Sequence, residues 1–451
     1  MLLEPLKKLP LVRPIYHFLL AFLSALLYGF PSKRLYVIGV SGTKGKTTTL
    51  ELMNAILEEA RSTHSASSGQ ASSGQAGNPV NPAMAGHGAE KTALLSSITV
   101  KVGNDRRKNP TETTMPGRFF IQRFLSRAVR AGCTYALVEV TSEGVKFFRH
   151  RFINWNAAFL INLHPEHIEA HGSFQAYRDA KLSFLRYAVR RGARPFINRE
   201  DRNAHYYLHA LRDSKLVVYS RHDLPGSYFR EAANPMQAVA PEREFVMTEF
   251  NKDNVAAAVV LAKHLGIAEA VALRAVRAFK GIPGRMEFVQ KEPFAVVVDY
   301  AHTPESLELV YQALRNSKLQ NLNSKLICVL GSAGGGRDKW KRPVLGKIAE
   351  TYCDAMVITN EDPYDEDPKQ IMQEIEKGAR DNPRFDAKLS AMTWKIEDRR
   401  EAIRTAIEVA RKGDTVVVTG KGSEEWIHVA HRGKIPWSDT RTVREILGAR
   451  T

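Results

Sequence analysis

Short, unbroken apolar runs recur along this chain, each followed by a turn and then by a stretch with apolar residues at helical spacing. The first is LYVIGV (Leu35–Val40), which leads through a glycine-rich turn into TTLELMNAILEEA. TYALVEV, AAFLINL, AVVVDY, KLICVLG, AMVIT and DTVVVTG repeat the pattern. A continuous apolar run suits a strand buried on both faces, and strand–helix alternation suits parallel sheets covered by helices. The predicted fold class is therefore α/β with mostly parallel sheets.

Three features break the alternation. Pro14–Phe30 is strongly apolar and follows Lys7, Lys8 and Arg13. It is shorter than the ~20 residues of a spanning helix and has no small-residue cleavage site. It is expected as a helix packed on the protein or lying at the inner face of a membrane, where the basic flank suits anionic headgroups. Ser65–Glu90 contains a tandem ASSGQ and few large apolar groups, so it reads as a loose surface insertion. Gly and Pro in FKGIP (Phe279–Pro283) mark a boundary. The expected organisation is an apolar helical segment over 1–34, a central domain over 35–281 with the insertion at 65–90, and a C-terminal α/β domain over 282–451.

A length of 451 residues excludes a single small binding module, since a domain takes roughly 150 residues. Lys and Arg exceed Asp and Glu by 65 to 48, which favours anionic partners. The basic residues fall in scattered pairs (Arg106-Arg107, Arg190-Arg191, Arg399-Arg400) without interleaved aromatics, so no nucleic-acid platform is expected. Cys133, Cys328 and Cys353 are widely spaced in apolar stretches, which predicts no disulfide framework and suits a reducing cytoplasm.

The sharpest local signal is GTKGKTTT (Gly42–Thr49), between a strand and a helix. Gly42, Thr43, Lys44 and Gly45 can turn backbone N–H groups toward phosphate oxygens, and the helix start adds positive potential. Lys46 suits the β/γ oxygens, Thr47 can hold Mg²⁺, and Thr48 at the helix start is a further candidate for the nucleotide phosphates. The first glycine of the usual pattern is Val40 here, with Gly39 one residue earlier. By itself the loop fits an ATPase, a kinase, a GTPase switch or a ligase.

Further motifs follow in order: EVTSEG (Glu139–Gly144), NLHPEHIEAHGSFQAYRDAK (Asn162–Lys181), GRME (Gly284–Glu287), DYAHTPESLE (Asp299–Glu308), GSAGGGRDKWKRP (Gly331–Pro343), EDPYDEDP (Glu361–Pro368) and TGKGSEEW (Thr419–Trp426). With the phosphate loop, this ordered set resembles the Mur ligases, most closely those that add the third residue of the peptidoglycan stem peptide. The resemblance covers about Leu35 to Leu447. It implies a central ATP-binding domain and a C-terminal Rossmann-like domain that closes over it. It also implies an ADP-forming amide ligase in which ATP converts a carboxylate to an acyl phosphate that an amine then attacks. The acceptor would be a UDP-N-acetylmuramoyl-dipeptide type of precursor and the amine a diamino acid, in a cytoplasmic monomer with possible peripheral contact to the inner membrane. The alternatives are a related folylpolyglutamate or cyanophycin-like synthetase, and a non-catalytic nucleotide-binding scaffold.

The resemblance assigns roles residue by residue. Lys46 and Thr47 serve the ATP phosphates and Mg²⁺, with Glu139 on the metal. His167 would be a ligand to a second Mg²⁺, although the bare spacing of His164, His167 and His171 also admits zinc. Lys181 matches a lysine used in carbamylated form, and lies on one helical face with Tyr177. Asn251 and Asn254 match the segment near adenine, where a helix cap explains them nearly as well. Arg285, Asp299, Tyr300 and His302 would reach the nucleotide. Ser142, Arg337, Asp338, Asp362, Pro363, Tyr364, Lys421, Gly422 and Glu424 would meet the acceptor or incoming amino acid.

Two departures bear on substrate. Only some thirty-four residues precede the first strand, whereas the family carries an N-terminal domain that grips the uridine diphosphate. Enzymes of the family that select meso-diaminopimelate carry D-N-P-R, and the aligned stretch here is Glu361-Asp362-Pro363-Tyr364. Tyrosine offers no guanidinium fork. Acidic Glu361, Asp362 and Asp365 lean toward a side-chain ammonium such as that of lysine, unless an arginine from elsewhere substitutes.

Overall fold

The computed structural model describes residues 12–67, 91–111, 113–166, 168–228, 248–316, 324–381, 392–431 and 433–449. His167 and the insertion from residue 68 onward lie outside the described residues. The chain forms two compact units, one running mainly to Phe279 and the other mainly from Lys280, the second also taking Glu166–Ala170.

The N-terminal unit opens with α1 (Val12–Leu27), which ends where Gly29 and Phe30 both take positive φ. The N–H groups of Phe30 and Gly29 donate to the carbonyls of Ala25 and Leu26, satisfying groups the helix end would leave open. Next come β1 (Tyr36–Ser41), α2 (Lys46–Ser67), β2 (Lys91–Leu95), β3 (Thr99–Val102), β4 (Asp105–Lys108), α3 (Arg118–Arg130), β5 (Cys133–Val140) and α4 (Ser142–Lys146). They are followed by β6 (Trp155–Leu160), α5 (Phe174–Val189), β7 (Arg194–Asn198), α6 (Ala204–Ala210), β8 (Val217–Tyr219), α7 (Glu249–His264) and α8 (Glu269–Ala278). Helix α2 takes residues 65–67 of the expected insertion into regular structure. Propagation of an established helix costs little beyond its last apolar turn.

The eight strands lie in the order β4-β3-β2-β5-β1-β6-β7-β8. All neighbours from β2 to β8 are parallel, while β3 and β4 fold back antiparallel at one edge. Every residue of β1 is buried, as its unbroken apolar run requires. Gly39 lies inside this strand, where a Cβ would meet the Phe184 ring at 2.7 Å and Trp155 at 2.8 Å. It is thus a packing position beneath two aromatic rings.

The C-terminal unit contains β9 (Glu287–Gln290), β10 (Ala295–Asp299), α9 (Pro304–Arg315), β11 (Leu326–Leu330), α10 (Lys341–Tyr352), β12 (Ala355–Thr359) and α11 (Pro368–Arg380). Then come β13 (Thr393–Ile396), α12 (Arg399–Val409), β14 (Thr415–Thr419), the hairpin β15 (Trp426–Val429) and β16 (Gly433–Pro436), and α13 (Asp439–Gly448). Its sheet runs β13-β12-β11-β14-β10-β9, parallel except for the edge strand β9. Strands β10, β11, β12 and β14 are buried throughout. One sequence expectation is corrected here. Cys328 in β11 and Cys353 after α10 are joined by a disulfide with Cα atoms 6.1 Å apart. The strand–helix connection brings two distant positions side by side, a proximity that linear spacing does not show. Cys133 is free and buried.

Candidate active site

In parallel sheets, loops at the carboxyl ends of strands gather chemistry where strand order reverses. In the N-terminal unit β1 sits between β5 and β6, so the loops after these three strands meet. The phosphate loop leaves β1 at Ser41, Glu139 is next to last in β5, and Asn162 follows β6. Asn162 Oδ1 accepts the N–H groups of Thr43 and Lys44 at 2.9 Å each, and its Nδ2 donates to the Lys44 carbonyl at 3.0 Å. This one amide fixes the loop backbone. A Cβ on Gly42 would strike Ile161, and one on Gly45, where φ is +76°, would strike Asn254. Both glycines are therefore required by space, and Gly45 by conformation as well.

Lys46 Nζ donates to the carbonyls of Gly42 (3.1 Å) and Thr43 (2.9 Å) and stands 4.0 Å from Glu139 Oε1. Thr47 Oγ1 donates to Glu139 Oε2 at 3.0 Å. The same oxygen accepts from the Ser97 N–H at 2.9 Å and the Ser97 hydroxyl at 3.0 Å, and Ser97 is in turn 3.0 Å from Thr114 Oγ1. Thr48 is buried at the start of α2. Lys181 is buried, donates to the Gly42 carbonyl at 2.8 Å, and lies 4.7 Å above the Tyr177 ring, so the shared helical face read from sequence is formed. The Tyr177 hydroxyl is 3.0 Å from Thr43 Oγ1.

Asn251 and Asn254 do not cap a helix. They lie one turn apart inside α7, with Asn254 Nδ2 donating to Asn251 Oδ1 at 2.9 Å and Thr49 Oγ1 donating to Asn254 Oδ1 at 3.1 Å. His164 meets Thr43 through its backbone, whereas the His171 ring lies 3.1 Å from the buried Ser142 hydroxyl. Ser142 follows Thr141, whose side chain caps α4.

The C-terminal unit gathers a second set by the same rule. Asp299, at the end of β10, accepts from the N–H groups of Met286 (2.6 Å) and Ala301 (2.7 Å), so its carboxylate organises the surrounding loops. The Arg285 guanidinium lies 3.9 Å from the Tyr300 ring, and the Tyr300 hydroxyl donates to Glu424 Oε1 at 2.9 Å. Burial first, then Glu424, pushes that phenol well above its ordinary value. The His302 ring is 2.7 Å from the Tyr300 carbonyl, and Lys341 donates to the His302 carbonyl.

Lys421 is fully buried after β14 and donates to Asp362 (2.8 Å) and Glu424 (2.5 Å). Burial alone would lower its ammonium, but Glu424 and Asp362 outweigh it and raise the group above the ordinary lysine value. The neighbouring Gly422 has φ +50° and sits against Tyr300 and the Gly284 carbonyl. Asp362 also accepts the His428 N–H, and Asp365 accepts the His431 N–H. Asp362 and Asp365 are therefore already engaged by the protein's own donors, whereas Glu361 is buried and its Oε2 makes no hydrogen bond among the described residues. Pro363 passes its carbonyl close to Gly334. Tyr364, at φ +52°, stacks on His428 with ring centres 5.0 Å apart. Arg337 donates to its hydroxyl at 2.7 Å, next to Asp338 in the same loop.

Sequence reasoning missed Asn162, Ser97, Thr114 and the fully buried Arg342, which bonds Glu374 (2.8 Å) and Glu366 (3.0 Å) behind the glycine-rich loop. Asn162 stands in a motif that was singled out, so a signal existed. Ser97 has none.

Comparison with known proteins agrees with this architecture. Residues 40–262 match the Mur ligase middle domain and 284–422 match the Mur ligase, glutamate ligase domain. "UDP-N-acetylmuramoyl-L-alanyl-D-glutamate--2,6-diaminopimelate ligase" from Synechocystis sp. is 32% identical over 441 residues, covering 95% of this chain and 78% of that protein. "UDP-N-acetylmuramyl-tripeptide synthetase" from Roseiflexus sp. is 30% identical, covering 95% and 81%. The folylpolyglutamate synthase of Mycobacterium tuberculosis, solved with ADP and AMPPCP, shares the fold at a TM-score of 0.62 and 16% identity, over 89% of this chain and 91% of that one. The chain belongs to the Mur ligase family of ATP-dependent, ADP-forming amide ligases.

Proposed function

We propose that this ligase joins a diamino acid to the free carboxylate of a UDP-N-acetylmuramoyl dipeptide. The acceptor oxygen attacks the γ-phosphorus of ATP and ADP leaves. The amine nitrogen then attacks the acyl carbon, and phosphate departs as the amide forms. Catalysis of this kind is mostly positioning and charge neutralisation. The loop N–H groups and Lys46 hold the phosphates. The observation that carries the reading is the pairing of Thr47 with Glu139 at 3.0 Å beside the loop. Together with Ser97 they form a hard-oxygen set that fits Mg²⁺. When bound, the ion would neutralise charge on the phosphate oxygens. Lys181 in carbamylated form would add an anion to this side of the site.

For the amine we favour meso-diaminopimelate over lysine. Asp362 is taken by Lys421, whereas Arg337 brings a guanidinium onto Tyr364, the position where D-N-P-R enzymes carry arginine. The test is phosphate release with ATP, Mg²⁺, the dipeptide precursor and a panel of diamino acids. Release should require both acceptor and amine and be fastest with diaminopimelate. Silence with every pair, against turnover with a folate and glutamate, would replace this reading with the folylpolyglutamate type.

A further inference from the structure

Helix α1 has two unlike sides. Ala21, Ser24 and Ala25 are buried against the N-terminal unit, whereas Leu19 is 57% and Leu27 67% exposed, with Ile15, Phe22, Leu23 and Leu26 also open to solvent. At 100° per residue these large apolar groups span about 140° of the helix circumference. Contiguous apolar faces of this kind mark binding surfaces in soluble proteins.

The rim of this face is basic. The Arg13 guanidinium lies 5.1 Å from the Phe147 ring, which itself packs on His17 of the helix. Arg151 lies 5.7 Å from the Phe148 ring, which meets Phe18, and Lys33 lies 5.4 Å from the Phe30 ring, which meets Phe22. No acidic residue occurs between Leu6 and Leu50. A helix of 16 residues is about 24 Å long, short of the roughly 30 Å hydrocarbon core. Among the described residues no helix is long and apolar enough to cross a membrane.

We infer that the outer face of α1 is a docking surface for an anionic lipid bilayer, lying in the plane of the headgroups with Ile15, Leu19, Phe22, Leu23 and Leu26 inserted and Arg13, Lys33 and Arg151 among the phosphates. Apolar insertion and charge attraction together hold such helices at interfaces. The surface is separate from the phosphate loop, so it is a property additional to ligation.

The experiment is co-sedimentation of the full chain with phosphatidylglycerol–phosphatidylcholine vesicles and with phosphatidylcholine vesicles alone. Wild type should bind the anionic vesicles and lose binding in high salt. Leu19→Glu/Leu23→Glu should weaken binding by at least about tenfold, because each places a charge in the hydrocarbon boundary. Arg13→Glu/Lys33→Glu should weaken it less and flatten its salt dependence. Both pairs are exposed, so phosphate release in vesicle-free buffer should match wild type and report intact folding. Absent wild-type binding, binding that Leu19→Glu/Leu23→Glu leaves intact, or a wild-type dimer that this variant dissolves would each overturn the inference, the last in favour of a second copy of the chain as the occupant.

Discussion

The two units present the same architecture at their strand ends but handle charge in opposite ways. Around the phosphate loop, lysines 46 and 181 lean on main-chain carbonyls, and one carboxylate, Glu139, is shared among hydroxyls and an N–H. In the C-terminal unit, Lys421 lies between Asp362 and Glu424, and Arg399 forms a buried two-pronged pair with Asp439. In the first region the lysines are set against main-chain carbonyls, with Lys46 also 4.0 Å from the Glu139 carboxylate. The second has compensated its charges internally, so its ionic groups act chiefly to hold loops in place. Lysines are thus set against main-chain carbonyls beside the phosphate loop, while Lys421 sits between carboxylates in the C-terminal unit.

Four experiments would break or sharpen that contrast. Lys46→Ala should reduce kcat/KM for phosphate release at least about a thousandfold, since a preorganised charge on the transferring phosphoryl group is lost, while the melting temperature barely moves. Lys421→Met should instead lower stability by about 3 kcal/mol in chemical denaturation, because Asp362 and Glu424 are left facing each other. A second change, Asp362→Asn, should recover part of that loss.

The third experiment uses pH. Burial first, and Arg151 second, lower the His150 imidazolium to about 3. The folded protein keeps the ring neutral while the unfolded chain takes up a proton near 6.5. Stability from this group is full above pH 6.5 and falls as pH drops, by about 2 kcal/mol at pH 5. His150→Phe should flatten the acid limb of the stability curve. The raised Lys421 ammonium acts on the opposite limb, its contribution being complete below the ordinary lysine value and lost as pH climbs through the higher folded one. If Lys421→Met left the alkaline limb unchanged, the contrast would fail. The smallest effect is expected for Arg337→Ala, with KM for diaminopimelate rising about tenfold and KM for ATP unchanged, as for loss of one charged hydrogen bond to a carboxylate.

Much of this was legible in the sequence for a local reason. The strands β1, β5, β6, β10, β11, β12 and β14 each bury both faces, so each is written as a continuous apolar run. The phosphate loop is one contiguous motif. What escaped notice depends on residues far apart in the chain: Asn162 reaches Thr43 across more than a hundred positions, and Ser97 reaches Glu139 through a sheet neighbour. For Asn254 the sequence left a helix cap open beside the adenine segment, and the structure places it inside α7, where it accepts from Thr49. The β3–β4 ribbon was not foreseen either, since Asp105–Lys108 is exposed and polar throughout and carries no periodic signal.

The loops around Tyr364 have a consequence for how such enzymes diversify. The tyrosine is held by Arg337 from one loop and by His428 from the β15 hairpin, while the sheet beneath is closed by its own aliphatic packing. Side chains on these loops can therefore be exchanged a few at a time without disturbing the packing that closes the sheet.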